Sequence, residues 1–155
     1  MNDSTTKALF VCMGNICRSP AAECFFRDAI EKRGQCGDFA MDSAGTGGWH
    51  VGAKPDRRMR AAAKKQGLEI TGSARQITTD DFSAFDWIFC MDQDNLHDVL
   101  AMGANPEKTK MLLPYIGHEA MREVPDPYYG GQDGFDNVVS LIHEATSKLA
   151  VKFCP

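Results

Sequence analysis

The spacing of apolar positions changes several times along the chain, and each change marks a new element. Residues 7–11, KALFV, form a short apolar run of strand length. From 19 to 33 the apolar residues Ala22, Phe25, Phe26, Ala29 and Ile30 recur at helical spacing and stop before Gly34. The stretch VCMGNICRSP at 11–20 is therefore a strand-to-helix loop. Ser19 is the expected N-cap, with Pro20 at the first helical position, where a missing N–H costs nothing, and Glu23 favoured by the helix dipole.

A second strand is expected at 38–43, followed by the glycine-rich loop AGTGGWHVG and a helix over 55–66 closed by Gly67. TTDDF at 78–82 reads as a short capped helix, DWIFCM at 86–91 as a buried strand, and DNLHDVLAMG at 94–103 as a helix. KMLLP at 110–114 supplies a fourth strand, and VPDPYYGG at 124–131 is a loop rich in proline and glycine. A closing amphipathic helix over 134–153 carries Phe135, Val138, Val139, Ile142, Leu149 and Phe153. The alternation predicts one domain over 1–155: a three-layer α/β/α unit around a four-stranded parallel sheet, with a phosphate-binding loop after the first strand. Ligands of such folds bind beyond the carboxyl ends of the strands, where VCMGNICRSP would sit.

Composition narrows the function without naming one. The 155 residues are 43% hydrophobic and 25% charged, ordinary for a globular protein, and the net charge is −4. A nucleic-acid partner would need a basic stripe against that field; the candidate, RRMR at 57–60 with KK at 64–65, reads as a solvated helix face. The polar MNDSTTK start has no apolar leader and no stretch reaches membrane-spanning length, so no membrane partner and a cytoplasmic location are expected. The six cysteines, Cys12, Cys17, Cys24, Cys36, Cys90 and Cys154, are then expected to be reduced thiols. Zinc is not expected: one C-x4-C pair has no second pair, and His50, His97, His118 and His143 are scattered.

The opening loop carries the chemistry. A glycine-containing turn between strand and helix lets backbone N–H groups converge on an oxyanion, with positive potential from the helix start. Arg18 adds a planar fork matching two phosphate oxygens. Cys12, at the start of the loop, would be favoured as a thiolate by the same groups and can attack phosphorus in line to give a cysteinyl-phosphate. There is no GK[ST] of a Walker loop, no G-x-G-x-x-G after the first strand and no C-x-x-C in the loop. The plainer reading is a buried cysteine beside a helix cap, but it leaves Gly14, Asn15, Arg18, Ser19 and Pro20 unexplained. Asp126, between two prolines and beside Tyr128 and Tyr129, is the candidate proton donor for the leaving oxygen, with the tyrosines as a wall for an aromatic leaving group. Taken without the opening loop, Asp-Pro is merely a turn.

These residues resemble the low-molecular-weight protein tyrosine phosphatase family over nearly the whole chain. VCMGNICRSP is similar to that family's C-x5-R loop and DPYYGG to its general-acid loop, while DSAGT at 42–46, ARQIT at 74–78 and FDWIFCMDQDNL at 85–96 extend the likeness. The resemblance implies that Cys12 is the nucleophile, Arg18 the phosphate-binding and transition-state residue, and Asp126 the general acid, with no cofactor or metal. It implies a phosphate or other oxyanion held by the loop residues Met13, Gly14, Asn15, Ile16 and Cys17, with Asn15, Ser19 and Ser43 keeping the loop in shape. It implies that Cys17 can form a reversible disulfide with Cys12, that Trp49, Tyr128 and Tyr129 line the cleft, and that the partners are phosphotyrosine-containing proteins. One departure stands out: Gly72 replaces the histidine that vertebrate members have behind the loop, which leaves the partner of Asn15 open.

Three rivals share parts of the pattern. Thiol-coupled arsenate reductases resemble the first motif but need a further cysteine pair downstream, where Cys90 stands alone. Protein-arginine phosphatases have a similar loop with threonine where Ile16 stands; bulk there and two tyrosines favour a flat phenyl leaving group. A non-catalytic phosphotyrosine or anion-binding module would keep Arg18 but has little use for Cys12 together with Asp126.

Overall fold

An inner strand of the sheet is buried from Ala8 to Cys12, and its two faces explain the layers. In the computed structural model, which describes residues 5–34 and 36–155, β1 (Thr6–Cys12) pairs in parallel with β2 (Phe39–Gly45) on one side and β3 (Trp87–Cys90) on the other. β4 (Thr109–Met111) extends the sheet beyond β3, giving the order β2-β1-β3-β4. Successive strand residues point to opposite faces. Ala8, Phe10 and Cys12 accordingly enter one apolar cluster and Leu9 and Val11 another.

The first face is covered by α1 (Arg18–Arg33), α2 (Arg57–Lys65) and α6 (Gln132–Phe153). An aromatic group of Phe10, Phe26, Phe89 and Phe153 lies beneath them, with Phe89 to Phe153 ring centroids 6.3 Å apart. The second face is covered by α3 (Asp81–Ala84) and α4 (Gln93–Ala101), which place Phe82, Leu96 and Val99 against Leu9, Val11 and Ile88. The result is a single three-layer α/β domain. Among the described residues no helix is long and apolar enough to cross a membrane. The first four residues of the polar start, read above as lacking a leader, lie outside the described residues.

The expected order of elements holds, with four local corrections. Cys17, not Ser19, is the N-cap of α1; Ser19 is the second helical residue and fully buried, freeing its hydroxyl for Cys12. The helix predicted over 55–66 begins at Arg57, because the Asp56 carboxylate accepts the Arg58 N–H at 2.8 Å and so caps it. KMLLP does not stay extended: β4 ends at Met111 and Leu112–Tyr115 turn into a short helix, α5. Pro114 has no N–H for a ladder but costs little in a first turn.

The fourth correction concerns the thiols. Cys36 and Cys154 form a disulfide, whereas Cys12, Cys17, Cys24 and Cys90 are free and buried. The two partners are 118 residues apart in sequence. Packing of α1 on α6 brings the end of one helix to the end of the other, setting the Cα atoms 5.5 Å apart, an ordinary disulfide spacing. The basic face of α2 is solvated as expected, with Arg57, Arg60, Lys64 and Lys65 exposed and Met59, Ala62 and Ala63 buried.

Candidate active site

β1 has its two neighbours reached by connections running in opposite directions, so a crevice opens at its carboxyl end. Cys12 is the last residue of β1 and Arg18 the first of α1, and the five residues between them curl into a ring. The ring closes at Asn15, whose φ of 57° lies in the left-handed region that asparagine tolerates better than most residues. From there the Asn15 N–H donates to Cys12 Sγ at 3.3 Å. Ser19 Oγ lies 3.0 Å from the same sulfur.

Asn15 holds this shape through its amide. Its Nδ2 donates to Ser19 Oγ at 2.8 Å and Ser43 Oγ at 3.0 Å, and its Oδ1 accepts the Arg75 N–H at 2.9 Å. That resolves the question raised by Gly72, which sits at φ +114° beside a cavity of about 60 Å³ lined in part by Asn15, Glu23 and Ser43. Ser43 in turn donates to Glu23 at 2.7 Å, so Glu23 acts through the network rather than the dipole of α1. Gly45 faces Cys12 across the sheet, and a Cβ there would come within 2.6 Å of the Met13 carbonyl oxygen.

Arg18 is 2% exposed and aims its guanidinium along the ring. Nη1 donates to Asp92 Oδ2 at 2.6 Å and to the Val124 carbonyl at 3.0 Å, while Nη2 lies 3.7 Å from Asp126 Oδ2. Burial works against its charge, but Cys12, Asp92 and Asp126 outweigh that and raise the guanidinium above its ordinary value. Asp92 caps α4 in a reciprocal box with Asn95, which fixes its carboxylate. Asp126 has a side chain one-third exposed and accepts the Tyr128 N–H at 3.0 Å.

Cys17 differs from Cys12 in surroundings. Burial pushes its thiol up, reinforced by the charges of Asp56, Cys12 and Asp126 and only partly offset by Arg18. The two stand as separate thiols.

Above the ring is a cleft of about 410 Å³ whose floor includes Cys12, Ile16 and Arg18 and whose walls are Trp49, His50, Asp126, Tyr128 and Tyr129. Trp49 is 76% and Tyr129 90% exposed, so these rings form a rim. The Trp49 ring occupies the space a side chain at Gly47 would fill. Of the residues expected from the sequence, Cys12, Met13, Gly14, Ile16, Cys17, Arg18, Trp49, Asp126, Tyr128 and Tyr129 line this cleft, while Asn15, Ser19 and Ser43 are buried behind the loop. Sequence reasoning missed Asp92, Arg75, Gly45 and His50. Asp92 had a signal, a D-x-x-N capping pattern straight after a buried strand; His50 had none beyond its adjacency to Trp49.

Residues 7–153 match the family model described as low molecular weight phosphotyrosine protein phosphatase. A low molecular weight phosphotyrosine protein phosphatase of Schizosaccharomyces pombe is 46% identical over 140 residues, covering 88% of this chain and 90% of its own. The crystal structure of a protein tyrosine phosphatase from Entamoeba histolytica, with Hepes in its active site, superposes with a TM-score of 0.89 at 38% identity, covering 95% of this chain and 96% of its own. That of an arginine phosphatase from Drosophila superposes with a TM-score of 0.87 at 35% identity, covering 97% and 99%. The C-x5-R ring, the buried arginine and these matches lead to one assignment: the chain belongs to the low molecular weight phosphotyrosine protein phosphatase family, whose members are phosphoric monoester hydrolases.

Proposed function

We propose that the protein hydrolyses phosphotyrosine in proteins, and small aryl phosphates, through a phosphocysteine on Cys12. The observation that carries this is the convergence on one ring of the Cys12 sulfur, the Arg18 guanidinium and, 3.7 Å from that guanidinium, the Asp126 carboxyl. A bound phosphate dianion takes backbone N–H bonds from the loop and the fork of Arg18, which Asp92 holds in place. Cys12 Sγ attacks phosphorus in line; the S–P bond forms as the P–O bond breaks, and the leaving phenolate takes the proton of Asp126. The Asp126 carboxylate then accepts a proton from water, whose oxygen attacks phosphorus. The S–P bond breaks, and inorganic phosphate and the Cys12 thiolate are released.

Attack uses the sulfur of Cys12 and departure of the phenolate uses the proton of Asp126, so the two groups act in the same molecule. Cys90 supports hydrolysis over arsenate reduction. It is buried, and burial and then Asp92 push its thiol up, which suits a structural rather than a redox cysteine.

The test is hydrolysis of aryl phosphates with EDTA and reductant present, by wild type, Cys12→Ser and Asp126→Ala. Turnover by wild type, none by Cys12→Ser, and a loss in Asp126→Ala that deepens with poorer leaving groups is the expected result. Turnover by Cys12→Ser refutes the mechanism. The likeness to the Drosophila arginine phosphatase favours one second reading, phosphoarginine as substrate. Ile16 on the cleft floor and the rim aromatics favour phosphotyrosine, so matched phosphotyrosine and phosphoarginine peptides should differ in kcat/KM in favour of the former.

A further inference from the structure

Arg58 joins the loop bearing the nucleophile to the loop bearing Asp126. Its side chain forks onto the Asp56 carboxylate, Nε to Oδ1 at 3.2 Å and Nη2 to Oδ2 at 3.1 Å. Asp56 is itself tied to the phosphate loop, donating its N–H to the Ile16 carbonyl at 2.7 Å. Burial alone would raise the Asp56 carboxyl, but the Arg58 side-chain and backbone bonds hold it below the usual carboxylate range, so the pair stays charged.

The opposite edge of the same guanidinium reaches the acid loop. Nη1 donates to the Gly130 carbonyl at 3.4 Å, and the guanidinium carbon lies 5.4 Å from the Tyr128 ring centroid and 4.3 Å from that of Phe135 in α6. The Arg58 carbonyl accepts Gln132 Nε2 at 3.0 Å, fixing the start of α6 where the acid loop ends. Beyond Val124 and among the described residues, the polar contacts of the acid loop with other parts of the chain run to Arg18 at Asp126 and to Arg58 at Gly130. Arg18 also lines the cleft, whereas Arg58 stands outside it.

We propose that Arg58 is a positioning residue for proton donation: it sets the distance of Asp126 from the leaving oxygen by clamping Tyr128 and Gly130 to the Asp56 end of α2. The inference rests on Asp126 being the general acid. A planar fork is needed because the guanidinium lies over the Tyr128 and Phe135 rings while its edges bond Asp56 and Gly130; a lysine keeps the charge and loses the geometry.

The experiment measures kcat/KM for wild type, Arg58→Met and Arg58→Lys on phenyl phosphate and p-nitrophenyl phosphate across pH, together with inhibition by inorganic phosphate. A mislaid acid forfeits part of the roughly 10²–10⁴-fold that proton donation supplies, so Arg58→Met should lose about tenfold on phenyl phosphate and under about twofold on p-nitrophenyl phosphate. Phosphate inhibition should stay within about twofold, since the ring itself is untouched, and Arg58→Lys should fall between. In an Asp126→Ala background Arg58→Met should bring no further leaving-group-dependent loss. An equal loss on both esters, no loss, or additive effects with Asp126→Ala overturns the proposal. Should Arg58→Met fail to fold, Arg58→Lys carries the same comparison. Absence of aryl phosphatase activity in wild type would remove the reaction itself, whereas activity with an unchanged leaving-group dependence in the Arg58 variants refutes the positioning role alone.

Discussion

Two pairs of cysteines sit at opposite edges of one sheet, and their fates differ. Cys12 and Cys17 belong to the loop at the carboxyl end of β1 and are free; Cys36 and Cys154 lie where α1 and α6 have run back to the amino edge and are bonded to each other. The residue type is the same, so position decides the chemistry. At the carboxyl edge the Asn15 N–H and the Ser19 hydroxyl contact the Cys12 sulfur, while burial keeps Cys17 a thiol. At the amino edge two helix ends merely meet, and a bond there closes the chain without touching the cleft.

The largest effect should come from exchanging sulfur for oxygen within the first pair. Under the proposed mechanism, in which Cys12 is the covalent nucleophile, Cys12→Ser is expected to reduce kcat by at least about 10⁴-fold. Cys17→Ser should stay within about threefold, because serine is a good N-cap and the raised Cys17 thiol is not ionised at neutral pH. Steady-state kinetics of the two variants decide it; equal losses would erase the distinction.

The second pair should govern stability instead. In the chain-entropy account a bond across 118 residues stabilises by up to about 5 kcal/mol. Cys154→Ser should therefore lower the denaturation midpoint markedly while leaving kcat on aryl phosphates unchanged. A fall in kcat of the fully folded variant, measured without denaturant, would break the separation between the two edges.

Removing charge behind Arg18 should have a smaller effect confined to the carboxyl edge. Asp92→Asn keeps an acceptor for the α4 cap but loses the ion pair at 2.6 Å, and a loss of about 10²-fold in kcat/KM is expected with little change in melting temperature. A large melting shift with intact kinetics would recast Asp92 as a cap alone.

The smallest effect is in pH. Asp56 has its carboxyl held below the ordinary value of 3.8, so its contribution is fully present above that pH and is lost as pH falls through the lower, folded value. Denaturation curves between pH 6 and pH 3 for wild type and Asp56→Asn should therefore converge toward the acid end. Curves that stay parallel throughout would remove Asp56 from the acid response.

Much of this architecture was legible before any coordinates. Short apolar runs located the strands and 3.6-residue spacing the long helices, since burial is a local pattern that the chain displays directly. Element ends were less legible. Ser19 has the composition of an N-cap, yet the loop needs its hydroxyl under Cys12, so Cys17 takes the cap without a side-chain bond. KMLLP has the composition of a strand, but the β3 ladder offers partners only as far as Met111.

The sequence by itself determined the parallel α/β order and the Cys12-to-Arg18 ring, because each is written in adjacent residues and their spacing; the Asp-Pro loop was linked to that ring by the family resemblance. Only the tertiary structure decided that Asp92 would pin Arg18, that Arg58 would bridge the two loops, and that Cys36 would meet Cys154. Those contacts join residues 74, 72 and 118 positions apart. No local pattern records such a distance, since it is set by the layering of helices on a sheet and not by the propensities of the residues that finally touch.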